Sequence, residues 1–215
     1  MFQRLMPLAI VNVAVHVLGL LFAAFSMRPG SPLTPIPERV NYLSRHPLGW
    51  SLGWTVWMLC DVAVIAFVVQ AARRLRNDWA LLAAGLILIG TAFDLACDSI
   101  FISVLPNLAA QQPVNEEVFL TVEKSVNTIS LVIANGLITL STAAMTVALR
   151  VGAKPLKLPI TLMGAAILIF GLSLSAAAFV PDPWLTQWAT GPTIISFCIW
   201  CLLVAYRLDH LEPPK

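Results

Sequence analysis

Charge is what this chain has least of. Only 11% of its 215 residues are Asp, Glu, Lys or Arg, against 59% hydrophobic, and the mean hydropathy is +0.85. Soluble domains carry about 25% charged residues, so a water-facing surface cannot be built from this inventory. The net charge of +2 is too small to point to a nucleic-acid partner, and none is expected. Four cysteines, Cys60, Cys97, Cys198 and Cys201, all lie inside apolar stretches, which argues against an external disulfide framework. Of three histidines only His16 lies in an apolar stretch, which argues against bis-histidine haem or a histidine-rich di-iron site. H-E-x-x-H, G-x-S-x-G, a phosphate-binding glycine loop, internal repeats and low-complexity tracts are all missing. No cofactor is expected, and no metal either: the spacing of Asp94, Asp98, Glu123 and His16 matches no particular metal site.

What the chain has instead is six long apolar stretches, at 5–27, 50–72, 79–105, 118–149, 158–180 and 188–206. At ~1.5 Å per residue each can cross a hydrocarbon layer of about 30 Å. Pro29, Pro32, Pro35 and Pro37 close the first, Pro106 the third, and Pro181 and Pro183 the fifth, while Pro155 and Pro159 separate the fourth from the fifth. Ala24-Phe25-Ser26 is a passable signal-cleavage site, but the first run exceeds a usual signal core and reads as a retained helix. The expected fold is therefore all-α: one transmembrane domain over residues 1–215, a bundle of about six helices.

Basic residues sort the connections. Arg73, Arg74 and Arg76 follow the second stretch, Arg150, Lys154 and Lys157 the fourth, and Arg207 the sixth. The connections after the third and fifth offer Glu116, Glu117 and Asp182. By the positive-inside rule both termini are cytoplasmic, in a multi-pass protein expected in a bacterial inner (plasma) membrane. The first loop, Arg28–Gly49, carries Arg28, Arg39 and Arg45 against this rule and is outvoted by the two basic loops. Within it, the run from Pro37 to Leu43 can begin a short external helix on the membrane surface, either a cap over a cavity or a plain connection.

An ionisable group at the bilayer centre costs about 2.5–3.5 kcal/mol on insertion scales and usually faces the bundle interior. His16, Asp61, Asp94, Asp98, Glu123 and Lys124 are the candidates. Asp61 lies roughly 17 Å into the second stretch and Asp94 roughly 23 Å into the third, while His16 is near the middle of the first. Trp50, Trp54, Trp57 and Asp61 are spaced i, i+4, i+7, i+11, which places a ladder of indoles and a carboxyl on one helical face. Trp50 and Trp54 also suit an interfacial aromatic belt, for which Trp57 is too deep. Asp94 and Asp98 share a face, as do Asn12 and His16. In the fourth helix Glu123, Asn127, Ser130 and Ser141 fall on one side, with Lys124, Asn135 and Thr142 about 100° around. The fifth and sixth helices lack any ionisable residue in their apolar cores, and Gly164, Gly171, Ser175 and Ala178 suit close packing and a scaffold role.

These positions imply a polar cavity among the first four helices. Asp61, Asp94 and His16 are the candidate catalytic residues, and Trp54, Trp57, Asp98, Glu123 and Asn127 the candidate substrate-binding ones. Three functions remain open on sequence. One is an intramembrane acid–base enzyme on a lipid-like or isoprenoid substrate, with Asp61 as acid, Asp94 as counter-base and the indoles stabilising positive charge. A small proton-coupled carrier would use the carboxyls for an ion or a cationic substrate. An accessory subunit of a larger membrane complex, or of a homo-oligomer, would use them only for interhelical hydrogen bonds. Cys198 and Cys201 form a C-x-x-C, read either as a redox pair or as two small apolar residues on a helix. The expected partners are membrane lipid and a lipid-like small molecule.

Overall fold

A computed structural model describes residues 4–151, 158–180 and 183–210. All regular structure among them is helical, and six helices are long and apolar enough to cross a membrane. The first crossing consists of α1 (Met6–Phe22), a π-helical turn at Ala23–Met27 and a 3-10 turn at Arg28–Gly30. A short α2 (Ile36–Arg45) leads into α3 (Pro47–Leu75) and α4 (Asp78–Ala109). The fourth crossing is α5 (Glu116–Thr128), a π-helical turn at Ile129–Ala134 and α6 (Asn135–Val151). α7 (Leu158–Ala177) and α8 (Pro183–Asp209) complete the chain. Lys154, Pro155, Lys157, Pro181 and Asp182 lie outside the described residues.

Local chemistry sets the ends. Pro37 and Pro47 sit in the first turns of α2 and α3, where a missing N–H costs nothing. Arg76 takes a left-handed conformation (φ 52°) to close α3, and Asn77 caps α4 by accepting from the Ala80 N–H at 2.9 Å. Asn115 caps α5 in the same way, with Glu116 and Glu117 facing the positive helix end. Pro106 does not end α4, which runs one turn further. Its missing N–H leaves the Ile102 carbonyl open, and the Ser51 hydroxyl donates to that carbonyl at 3.4 Å from α3.

The crossings form a closed ring in chain order. α1 packs on α3, α3 on α4, α4 on the α5–α6 crossing, α6 on α7, α7 on α8, and α8 back on α1. Outward faces are apolar, with Phe25, Leu81, Ile169 and Phe179 largely exposed, a surface that suits lipid. Two apolar clusters fill the ring. One joins Leu5, Phe67, Ile87, Met145, Leu149 and Trp200 at the end holding the chain termini. The other joins Met27, Leu43, Trp50, Phe101, Leu105 and Phe119 at the opposite end. Polar side chains lie between them.

The ring is closed at the first end by Asp209. Its carboxylate accepts from the Leu5 and Met6 N–H groups at 2.9 Å, capping α1 from α8, and Arg74 donates to it at 2.6 Å. Replacing Asp209 with Ala frees two helix-end donors and breaks a half-buried ion pair. A loss of about 2 kcal/mol is expected, read as a lower unfolding temperature in detergent. An unchanged melt would mean that the α1–α8 seam holds without this cap.

Candidate functional site

Between the two clusters lies a cavity of about 360 Å³. His16, Trp54, Trp57, Asp61, Asp94, Asp98, Glu123 and Asn127 all line it, so the eight positions singled out above share one space. It is not confined to the first four crossings. Ile167 and Leu174 of α7 and Thr190, Thr193, Ile194 and Phe197 of α8 form the remaining wall. The last two helices are thus wall as well as scaffold, because a ring exposes every member to its interior. Their packing role is also present: a Cβ on Gly171 would overlap Thr139, so only glycine lets α7 approach α6 there.

The indole ladder runs down α3. Trp50 is only 3% exposed and donates through Nε1 to the Phe101 carbonyl at 2.7 Å, so it is a core residue and not an interfacial belt residue. Trp54 stacks on Phe101 with centroids 4.1 Å apart and planes 9° from parallel. Its buried Nε1–H has no acceptor. Trp57 lies against α1, where a Cβ on Gly19 would come within 3.3 Å of the indole, and meets His16 edge-on at 6.3 Å.

His16 is fixed from its own helix. Its Nδ1 lies 2.7 Å from the Asn12 carbonyl, which can only accept, so Nδ1 carries the proton and Nε2 is the basic nitrogen. The Asn12 amide in turn donates to Cys201 at 3.3 Å. Cys198 and Cys201 are unlinked, Cys201 is fully buried, and neither lines the cavity.

The carboxyls differ in their support. Asp61 is 6% exposed, and its Oδ2 has no hydrogen-bond partner. Asp94 accepts from the Ser130 hydroxyl at 2.6 Å. Asp98 is 2% exposed, and the three lie within electrostatic reach of one another. Glu123 is paired, with Arg39 of α2 and not with exposed Lys124. The Arg39 Nη1 donates to both carboxylate oxygens, at 2.6 and 2.7 Å, and both residues are buried. Arg39 was not among the candidates because a loop arginine reads as surface charge. The one available signal was its spacing from Leu43, i, i+4, which puts both on the buried face of α2.

The fourth crossing also departs from a uniform α-helix. The π-helical turn at Ile129–Ala134 inserts one residue and rotates everything after it by about 100°. Asn135, Thr139 and Thr142 consequently line the cavity beside Asn127 and Ser130. Ser141 turns away and donates to the Ala83 carbonyl at 2.7 Å.

Among the described residues no group of three His, Cys, Asp or Glu side chains is arranged to hold a metal ion. A broader depression at the α3–α4 turn, bordered by Arg73, Arg74 and Arg76, contains none of these carboxyls. No protein-family model, curated protein or solved structure matches the chain.

Proposed function

We propose that this chain is a polytopic membrane enzyme that performs acid–base chemistry on a lipid-like substrate held in the ring's interior. The observation that carries the reading is the buried Asp61 carboxyl, which lines a cavity walled by indoles and has an oxygen with no partner in the protein. A group that is buried and yet uncommitted is suited to exchanging a proton with a bound molecule. Asp94, steadied by Ser130, is the second proton-exchanging group, and the free Nε2 of His16 is a third. Trp54 and Trp57 present aromatic surface to developing positive charge. The test is incubation of the purified protein with total bacterial lipid extract, with consumption of a component followed by mass spectrometry. Lipid profiles unchanged by active and heat-treated protein alike would overturn the reading.

A proton-coupled carrier is the second reading. It is favoured by a cavity that stops at the apolar cluster around Phe67 and Trp200 yet reaches Ser31 and Pro32 beside α2. Uptake into liposomes without chemical change of the solute would select it.

Both readings share one orientation: termini and the α3–α4 turn cytoplasmic, α2 external, in a bacterial inner membrane. Support comes from Arg73, Arg74 and Arg76 lying at the same end as Arg207 and the start of α1, whereas Arg39, one of the three loop arginines against the rule, is neutralised by Glu123. Single thiols at Gly152→Cys and Asn115→Cys test it in intact cells. An impermeant reagent should label the second and not the first, and labelling of the first from outside reverses the orientation.

A further inference from the structure

Of the four acidic side chains lining the cavity, only Glu123 has a basic partner. Among the described residues no Lys or Arg lines the cavity beside Asp61, Asp94 or Asp98; His16 is the one basic side chain there and can balance at most one charge, and the donor to Asp94 is a neutral hydroxyl. Three carboxyls in so small a low-dielectric space reach charge balance only with protons or with a cation. The carboxylates do not converge as a metal cage would require. The wall beside Asp61 is aromatic, which suits an organic cation. Asp61, more than nine-tenths buried, lines this space, and its carboxyl has an oxygen without a hydrogen-bond partner. Trp54, about 10 Å further along the same helical face, adds aromatic wall. Val64, Ile138, Ile194 and Phe197 provide apolar surface for the rest of a ligand.

We infer that the cavity takes an amphipathic amine. Its ammonium group donates to the Asp61 carboxyl against Trp57, and the rest of the molecule lies along Trp54 and the apolar wall. This rests on the proposed acid–base site and names the group it acts on. The proton Asp61 exchanges is then the amine's own: ammonium plus carboxylate becomes neutral amine plus carboxylic acid, with no other reactant.

The amine can belong to a free molecule or to a lipid headgroup, and two measurements on the full-length protein separate these. In detergent, n-octylamine is compared with n-octanol by calorimetric titration. In nanodiscs, retention of phosphatidylethanolamine is compared with that of phosphatidylglycerol by native mass spectrometry. Octylamine should bind at least about tenfold more tightly than octanol, since only the cation gains both the charged hydrogen bond and the aromatic contact. Asp61→Asn should remove that preference. Preferential retention of phosphatidylethanolamine identifies a lipid source, and octylamine binding without it a free amine. Equal affinity for octylamine and octanol in the unmodified protein overturns the inference, as does a folded Asp61→Asn protein that keeps the preference. Should that variant not fold, Trp57→Leu and Trp57→Phe decide. Leu should weaken octylamine binding several-fold more than Phe, and equal binding by the two overturns the inference. Lipid turnover that needs Asp61 without any preference for amines would defeat the amine and spare the acid–base site. Amine binding with no turnover would do the reverse.

Discussion

Asp61→Asn should give a folded protein whose turnover of substrate falls by at least about 10²–10⁴-fold, the range supplied by a positioned proton-transfer group. Asn keeps the shape and one acceptor but cannot exchange a proton. Because Asp61 Oδ2 has no partner in the protein, no internal hydrogen bond to it is lost and the melting temperature in detergent should stay close to that of the parent. The neighbouring indoles should separate in the same experiment. Trp57 lies in the wall beside His16, so Trp57→Leu should lower turnover more than stability. Trp50 is held by Phe101 in the core, so Trp50→Leu should lower stability first. An Asp61→Asn protein that is stable and fully active would reduce Asp61 to a polar residue tucked between helices.

Removing either member of the Arg39–Glu123 pair should cost about 3–5 kcal/mol, since each single variant strands a buried charge. Arg39→Ala leaves the buried Glu123 carboxylate without its partner, and Glu123→Ala leaves a buried guanidinium with the same fault. Replacing both, as Arg39→Met with Glu123→Leu, removes the two desolvation costs together and should restore most of the lost stability. Unfolding in detergent reads the stability, and limited proteolysis within Ile36–Arg45 reads whether α2 stays docked. A double variant as unstable as the sum of the singles would show that the pair is not a coupled unit. Tyr42, whose hydroxyl donates to the Ser26 carbonyl, gives α2 a second anchor, so the helix is expected to loosen and not detach.

The sequence by itself determined the number and approximate limits of the six helices long and apolar enough to cross a membrane, since a run of apolar residues long enough to span hydrocarbon needs no tertiary partner to be recognised. It also marked polar residues that turn inward, although Lys124, named with them, is exposed. The cost of placing Asp61, Asp94 or His16 in lipid is a property of the side chain and its depth, and all eight candidate positions line one cavity. Spacing on α3 was legible as well, because that helix is regular from Pro47 to Leu75 and its ladder of Trp50, Trp54, Trp57 and Asp61 keeps a single phase.

Only the tertiary structure decided the rest. A π-helical turn is a change of one residue in hydrogen-bond register, and it exchanged Ser141 for Asn135 and Thr142 on the cavity wall. α4 continued past Pro106 through a hydroxyl from another helix, a partner that sequence distance conceals. Arg39 and Glu123 are 84 positions apart, and a long-range ion pair leaves no local pattern. The participation of α7 and α8 follows from closure of the ring, in which α8 returns to α1. Periodicity reports which face of a helix is polar. Which neighbours meet that face is set by how the faces pack together.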